Sequence, residues 1–278
     1  MRSDLEWALR SLGPAAELVR VRRMHFNGHV MLHKLEVDHR GVRRLLVLRR
    51  YVDRAWLARE PDLASREAKA LQLLEGDRGF RTPKLVAVDP DGRAAGSPAV
   101  LMSHLGGREE WKPPSIERFA AVAPLIHQVR VPRSFRRFHR YYTGAALKPP
   151  AWSKQPKLWE RAFEVAEAAR VDESTARFIH RDHHAGNVLW SYGRVVGVID
   201  WEPACIGPPA VDFAHVRANL TAWMGIGAAR RYARCPGIDV DPVWDIVMGC
   251  DYGDSDLPGP RAQRGREAFV ADALSELG

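Results

Sequence analysis

The chain has no apolar run near the roughly 18 residues that a bilayer crossing needs, so a spanning helix is excluded. Its opening stretch, MRSDLEWALRSLGPAAE, scatters charges among the hydrophobics and lacks the continuous apolar core of a secretory signal or anchor. Cysteine is scarce. Cys205, Cys235 and Cys250 lie far apart with no CxxC pair, which argues against a disulfide framework or a cysteine zinc site. There is no internal repeat, no low-complexity segment and no G-x-G-x-x-G loop. What remains is ordinary globular material, with 46% apolar side chains in 278 residues. That length fits one large domain or two lobes. The expectation is a soluble, cytoplasmic protein with no membrane partner.

Charge is lopsided: 42 Lys and Arg stand against 34 Asp and Glu, a net +8. Eleven basic residues against three acids fall between Val19 and Arg59. Such a stretch suits nucleic acid, an anionic surface or a polyphosphate, and equally a solvated face. Residues 130–142, RVPRSFRRFHRYY, interleave basic and aromatic side chains in a way that could serve single strands. No nucleic-acid fold signature accompanies them, and a segment flanking a cleft is the preferred reading. Nucleic acid is not an expected partner.

Residues 4–12 read as a short helix. The stretches Leu18–His25, His29–Val37 and Arg43–Arg50 then read as antiparallel strands, with turns at Asn27-Gly28 and Gly41. A helix from Asp62 to Leu74 follows, then strands at Lys84–Val88 and Pro98–Met102 around the DPDGRAAGS turn. Gly106-Gly107 breaks the chain. Beyond it, Ser115–Val129, Lys157–Arg170 and Ala210–Met224 repeat apolar residues at helical spacing. Among them lies a compact β unit, Arg177–His180, Val188–Trp190 and Val195–Ile199. The expected fold is α+β and two-lobed, with a small β-rich lobe over 1–105 that ends in a hinge strand. A larger helical lobe covers 106–278.

The chemistry concentrates in FIHRDHHAGNVLWSYGRVVGVIDWE, Phe178–Glu202. Asp182 and Asn187 stand five residues apart in one polar loop. Asp200 ends the apolar run VVGVI. Together they make an all-oxygen donor set of the kind that suits Mg²⁺ beside substrate phosphates. The spacing H-R-D-x-x-x-x-N, followed by an Asp after a hydrophobic strand, is that of the protein-kinase fold. His180, Asp182, His183 and His184 also permit a metallohydrolase reading, which lacks a second His/Asp motif.

Upstream, Leu45–Tyr51 reads as a strand on which Arg49 projects with Leu45 and Val47. In the helix that follows, Glu67 shares a face with Leu63, Leu71 and Leu74. A buried carboxylate wants a cation, and Arg49 is its natural partner. Arg50 is the alternative if the register slips, and otherwise should matter little.

The run around Asp182 resembles the aminoglycoside phosphotransferase family, whose usual pattern is HGDLHPGN followed by IDWE. His180, Asp182, His184, Gly186 and Asn187 match the first part, and Ile199-Asp200-Trp201-Glu202 the second. GPPAVDFA, with Asp212, resembles the family's GxPxxDLA. The resemblance implies a protein-kinase-like fold and ATP-dependent transfer of a γ-phosphate to a hydroxyl of a small molecule, with GTP as the alternative nucleotide. It implies that Asp182 is catalytic, that Asn187 and Asp200 hold Mg²⁺, and that Arg49, steadied by Glu67, holds the phosphates. The hinge strand, through Met102 and Ser103, would read the adenine edge. His180 would pack under the loop, and Asp212 would brace it. The chain departs from kinases in having Arg49 for a Lys, DWE for DFG, and no APE segment.

The acceptor stays open between an aminoglycoside or other antibiotic and a choline- or homoserine-like metabolite. A protein kinase or a silent nucleotide-binding protein are the further alternatives. Between Asp239 and Asp256 lie six aspartates and no Lys or Arg. This run either favours a cationic acceptor or caps helices and fills turns. The oligomeric state is left open.

Overall fold

The computed structural model describes residues 3–26, 28–76, 78–251 and 259–278. It divides into two compact units. The first comprises residues 1–77, 81–107 and 196–203, and the second comprises 78–80, 108–195 and 204–278.

The first unit is built on a five-stranded sheet. Helix α1 (Ser3–Leu12) leads into β1 (Ala16–Phe26), β2 (Val30–His39) and β3 (Val42–Tyr51). Two helices follow, α2 (Arg54–Arg59) and α3 (Leu63–Leu73), then β4 (Leu85–Asp89) and β5 (Ala99–Ser103). The strand order is β1-β2-β3-β5-β4, and every neighbouring pair is antiparallel. Each strand expected from the sequence is present. Of the first two turns, Asn27 lies outside the described residues. The second uses Arg40 and Gly41, both at positive φ, the geometry that a two-residue hairpin needs. In the DPDGRAAGS turn, Asp89 accepts the backbone N–H groups of Ala94 and Ala95. There Gly92 is obligatory: a Cβ would lie 2.4 Å from the Ser97 carbonyl carbon. The core beneath the sheet gathers Leu5, Trp7, Leu35, Val37, Leu46, Leu48 and Leu101.

The second unit opens with β6 (Arg108–Glu109), α4 (Ile116–Ala120), α5 (Val122–His127) and α6 (Pro156–Ala168). Then come β7 (Arg177–Ile179), β8 (Val188–Ser191) and β9 (Arg194–Val198), whose last three residues count with the first unit. β10 (Cys205–Gly207) precedes α7 (Pro209–Met224), α8 (Ile226–Ala233), α9 (Pro242–Cys250) and α10 (Pro260–Glu276). The single helix expected over Ser115–Val129 is two. Pro124 has no N–H to give the Ala120 carbonyl, so the ladder breaks at Ala121. Among the described residues no helix is long and apolar enough to cross a membrane.

Helix α7 runs through the middle of this unit, and every residue from Val211 to Ala218 is buried. A helix apolar on all sides belongs inside a core, so its polar members need partners. Arg217 pairs with Asp245 of α9, and Asp212 accepts a bond from His127 at 2.9 Å. The basic and aromatic segment 130–142 is not a helix, and about half of its residues are exposed while others pack inward. Phe138 packs on Trp244, Arg140 donates to the Ala166 carbonyl, and Phe138 and Tyr141 flank the Arg181 guanidinium.

Candidate active site

Within the first unit, Arg49, Glu67 and Asp200 come together. Leu32 and Val100 flank Arg49 in register across the sheet. Its guanidinium donates to Glu67 Oε1 at 3.2 Å and to Asp200 Oδ1 at 2.5 Å. Tyr51 donates its hydroxyl to Glu67 Oε2 at 2.9 Å. Burial pushes Glu67 up, and Arg49 and Tyr51 pull only part of the way back. Burial works against the Arg49 charge, but Asp200 and Glu67 hold its pKa well above the usual value. Two carboxylates therefore share one guanidinium. The surplus negative charge, carried on oxygens, suits a hard divalent cation. Asp200 is the accessible member, with its side chain one-third exposed. It stands at φ 67°, a left-handed backbone that a non-glycine residue holds at a cost.

Arg50 points elsewhere. It donates to Asp4 Oδ2 at 2.7 Å and to Ser97 Oγ at 3.1 Å. The expectation that Arg50 matters little is therefore corrected, since Arg50 forms an ion pair with the buried Asp4. Met102 is buried opposite Val47. Ser103 has its amide on the Lys84 carbonyl, and its hydroxyl accepts the Lys84 N–H.

Asp182 and Asn187 come together in the second unit. Asn187 Nδ2 donates to the Asp182 carbonyl at 2.8 Å and to its Oδ2 at 2.9 Å. The loop backbone is anchored from α7, because Asp212 accepts the N–H of His180 at 2.9 Å and of Arg181 at 2.8 Å. Burial opposes the Asp212 charge, but the bond from His127 holds its pKa far below the usual carboxylate range. Arg181 also sits at positive φ, 74°, next to Asp182. His180 and His183 are wholly buried, and His183 packs on Phe119. Gly186 is required by close approach: a Cβ would lie 2.8 Å from both the His184 and Trp111 rings.

Two groups near Asp182 were not singled out from the sequence. Trp111 stacks on His184 with ring centroids 5.0 Å apart and 16° between planes. His215 Nε2 lies 3.1 Å from Asp182 Oδ1. Its spacing of three from Asp212 puts both on one helical face, the one available signal. Burial alone would raise the Asp182 pKa, yet His184 and His215 hold it well below the ordinary value. Asp182, His184 and His215 bring ligand atoms within 4.8 Å of one another, as three-ligand metal sites do. However, His184 Nδ1 accepts the Gly186 N–H at 3.0 Å. A neutral His184 then carries its proton on Nε2, 3.6 Å from Asp182, which suits donation to a carboxylate more than metal ligation.

The acidic run is mostly internal structure. Asp241 caps α9 by accepting the Val243 N–H at 2.9 Å. Asp245 pairs with Arg217, and Asp251 with Arg181. Asp239 is exposed, and Asp254 and Asp256 lie outside the described residues. The cationic-acceptor reading thus loses two of its carboxylates to internal ion pairs and a third to a helix cap.

A five-stranded antiparallel sheet with one buried Arg–Glu pair, joined to a helical unit bearing the H-R-D-x-x-x-x-N loop, defines the protein-kinase-like fold. Residues 35–246 match the model of the phosphotransferase enzyme family (APH), and the chain belongs to that family. No curated protein sequence matches. Among solved structures, a thermostable mutant of aminoglycoside phosphotransferase APH(4)-Ia in ternary complex with ADP and hygromycin B is similar at 15% identity and TM-score 0.67, over 98% of both chains. A further structure of aminoglycoside phosphotransferase APH(4)-Ia gives 15% identity and 0.66 over 99% of both chains. Spectinomycin phosphotransferase APH(9)-Ia, with ADP and spectinomycin, gives 13% and 0.56 over 93% of this chain and 84% of that one. At such identities the likeness speaks for the fold.

Proposed function

We propose that the protein transfers the γ-phosphate of ATP to a hydroxyl of a small molecule, with Asp182 as the catalytic residue. The observation that carries this reading is the Asp182 carboxylate, ionised and hydrogen-bonded to Asn187 in a loop braced by Asp212. In the reaction, the acceptor oxygen bonds to the γ-phosphorus, the bond to the β-phosphate oxygen breaks, and ADP leaves. The hydroxyl proton passes to Asp182 and then to solvent. A carboxylate held this far below the usual range is a weak base. Its main work is to orient the hydroxyl and stabilise the proton as it departs.

Arg49, steadied by Glu67, is assigned to the nucleotide phosphates, and Asp200 and Asn187 to Mg²⁺. The ion would supply positive charge to the phosphoryl oxygens. Arg49 and Asp200 are paired with each other at 2.5 Å, which supports their assignment to one phosphate and metal locus. Met102 and Ser103 lie on the strand assigned to the adenine edge. The structures of similar fold that hold ADP or AMP-PNP support ATP as the donor. Those that hold hygromycin B or spectinomycin support an antibiotic or similar polyol as the acceptor.

The test is an ATP-consumption screen over hydroxylated antibiotics, choline and homoserine, with and without Mg²⁺ and with a protein acceptor as control. Magnesium-dependent ADP release with at least one small acceptor is expected. Labelling of the protein acceptor alone would overturn the reading.

A further inference from the structure

His215 stands outside the H-x-D-x-x-x-x-N run and has no role in the reading above, yet it is one of the few polar side chains buried in α7. It is 7% exposed, and its Nε2 lies 3.1 Å from Asp182 Oδ1. The other carboxylate oxygen, Oδ2, accepts the Asn187 amide at 2.9 Å. Asp182 is thus gripped at both oxygens, by its own loop on one side and by α7 on the other. The same helix holds the loop backbone through Asp212, one turn earlier.

The consequence is geometric. The last torsion of an aspartate is broad and does not fix the carboxylate plane by itself. Each oxygen has two lone-pair directions. The Asn187 amide and His184 Nε2 face Oδ2, at 2.9 and 3.6 Å, and His215 faces Oδ1. Donors from the loop and from α7 thus fix that plane and leave a direction on Oδ1 for an incoming hydroxyl. Burial lowers the His215 pKa, so the ring is neutral near pH 7 and presents a single N–H.

We infer that His215 is a positioning residue for phosphoryl transfer, donating from Nε2 to Asp182 Oδ1 and so setting the plane of the carboxylate that meets the acceptor. The inference rests on the catalytic reading of Asp182. His215 does not touch the reacting atoms and acts through Asp182 alone. Misplacing a catalytic group by about 1 Å costs on the order of a hundredfold, which bounds the effect expected when the donor is lost.

The experiment compares His215→Phe, which keeps the ring volume without a donor, with His215→Gln, whose amide reaches the same place. Turnover is measured with an acceptor found in the screen. His215→Phe is expected to lower kcat about 10- to 100-fold with the KM values for ATP and acceptor within about twofold. His215→Gln should recover most of the loss. In an Asp182→Asn background, His215→Phe should add no further loss, because the effect runs through that carboxylate. If the Phe variant does not fold, His215→Asn, too short to reach Asp182, takes its place with the same expectation. Wild-type turnover in the donor-less variant, equal loss in His215→Gln, or a full second loss in the Asp182→Asn background each overturns the inference alone. A wild-type protein that transfers phosphate to none of the acceptors overturns the catalytic reading, and the inference with it.

Discussion

The Arg181 guanidinium lies against the Asp251 carboxylate inside the second unit, and Asp251 also accepts the backbone N–H groups of Tyr141 and Tyr142. One carboxylate at the end of α9 therefore neutralises the arginine preceding Asp182 and ties down the 130–142 segment. Asp251→Ala leaves a buried charge without its partner, for an expected loss of about 3–5 kcal/mol. Urea unfolding checks this. A change under about 1 kcal/mol would mean that Asp251 belongs to the solvent.

Arg50 and Asp4 give a second stability test. Asp4 is 1% exposed and Arg50 is partly exposed, so removing the arginine takes a charged partner from a buried carboxylate. Arg50→Ala should cost about 1–3 kcal/mol. Thermal unfolding should register that loss while the stabilisation conferred by ATP and Mg²⁺ stays as in wild type.

Glu67 should behave differently from Arg50. Glu67→Ala removes the partner that Arg49 and Tyr51 share, so it should cost about 3 kcal/mol and also reduce the thermal shift produced by ATP with Mg²⁺. The two readouts separate the arginines. An ATP response lost in Arg50→Ala and retained in Glu67→Ala would assign the phosphates to the wrong one.

His183 predicts an acid weakness. It is wholly buried, and burial pushes its pKa down to about 3 from an ordinary 6.5. The unfolded chain takes up a proton below pH 6.5 while the native imidazole stays neutral until about pH 3. Its contribution is therefore complete above pH 6.5 and is lost as pH falls through that window. At about 1.4 kcal/mol per pH unit, roughly 2 kcal/mol should go between pH 7 and 5. Urea unfolding of wild type and His183→Leu at both pH values tests this, and an equal pH slope in the two would remove His183 as the cause.

The features visible in the sequence are those carried by neighbours along the chain. The β meander of the first unit follows from alternation and turn residues. The loop holding Asp182 and Asn187, and the strand ending at Asp200, lie within one short run. The Arg49–Glu67 pair could be inferred because each was a charge on an apolar face. What escaped depends on distant packing. His215 reaches Asp182 only because α7 is threaded through the core. Arg50 meets Asp4 across 46 residues, and Arg181 meets Asp251 across 70. Composition showed an acidic run but not the buried arginines that consume it. The break at Ala121 is legible at Pro124, whose missing N–H outweighs the apolar spacing around it.

The most direct test of the central claim is turnover by Asp182→Asn, which keeps the size and the Asn187 and His215 neighbours while removing the charge that receives the hydroxyl proton. Steady-state ADP release with a working acceptor should fall about a hundredfold or more, while the thermal shift given by ATP and Mg²⁺ stays close to wild type. Turnover at the wild-type rate would show that Asp182 is not the catalytic group.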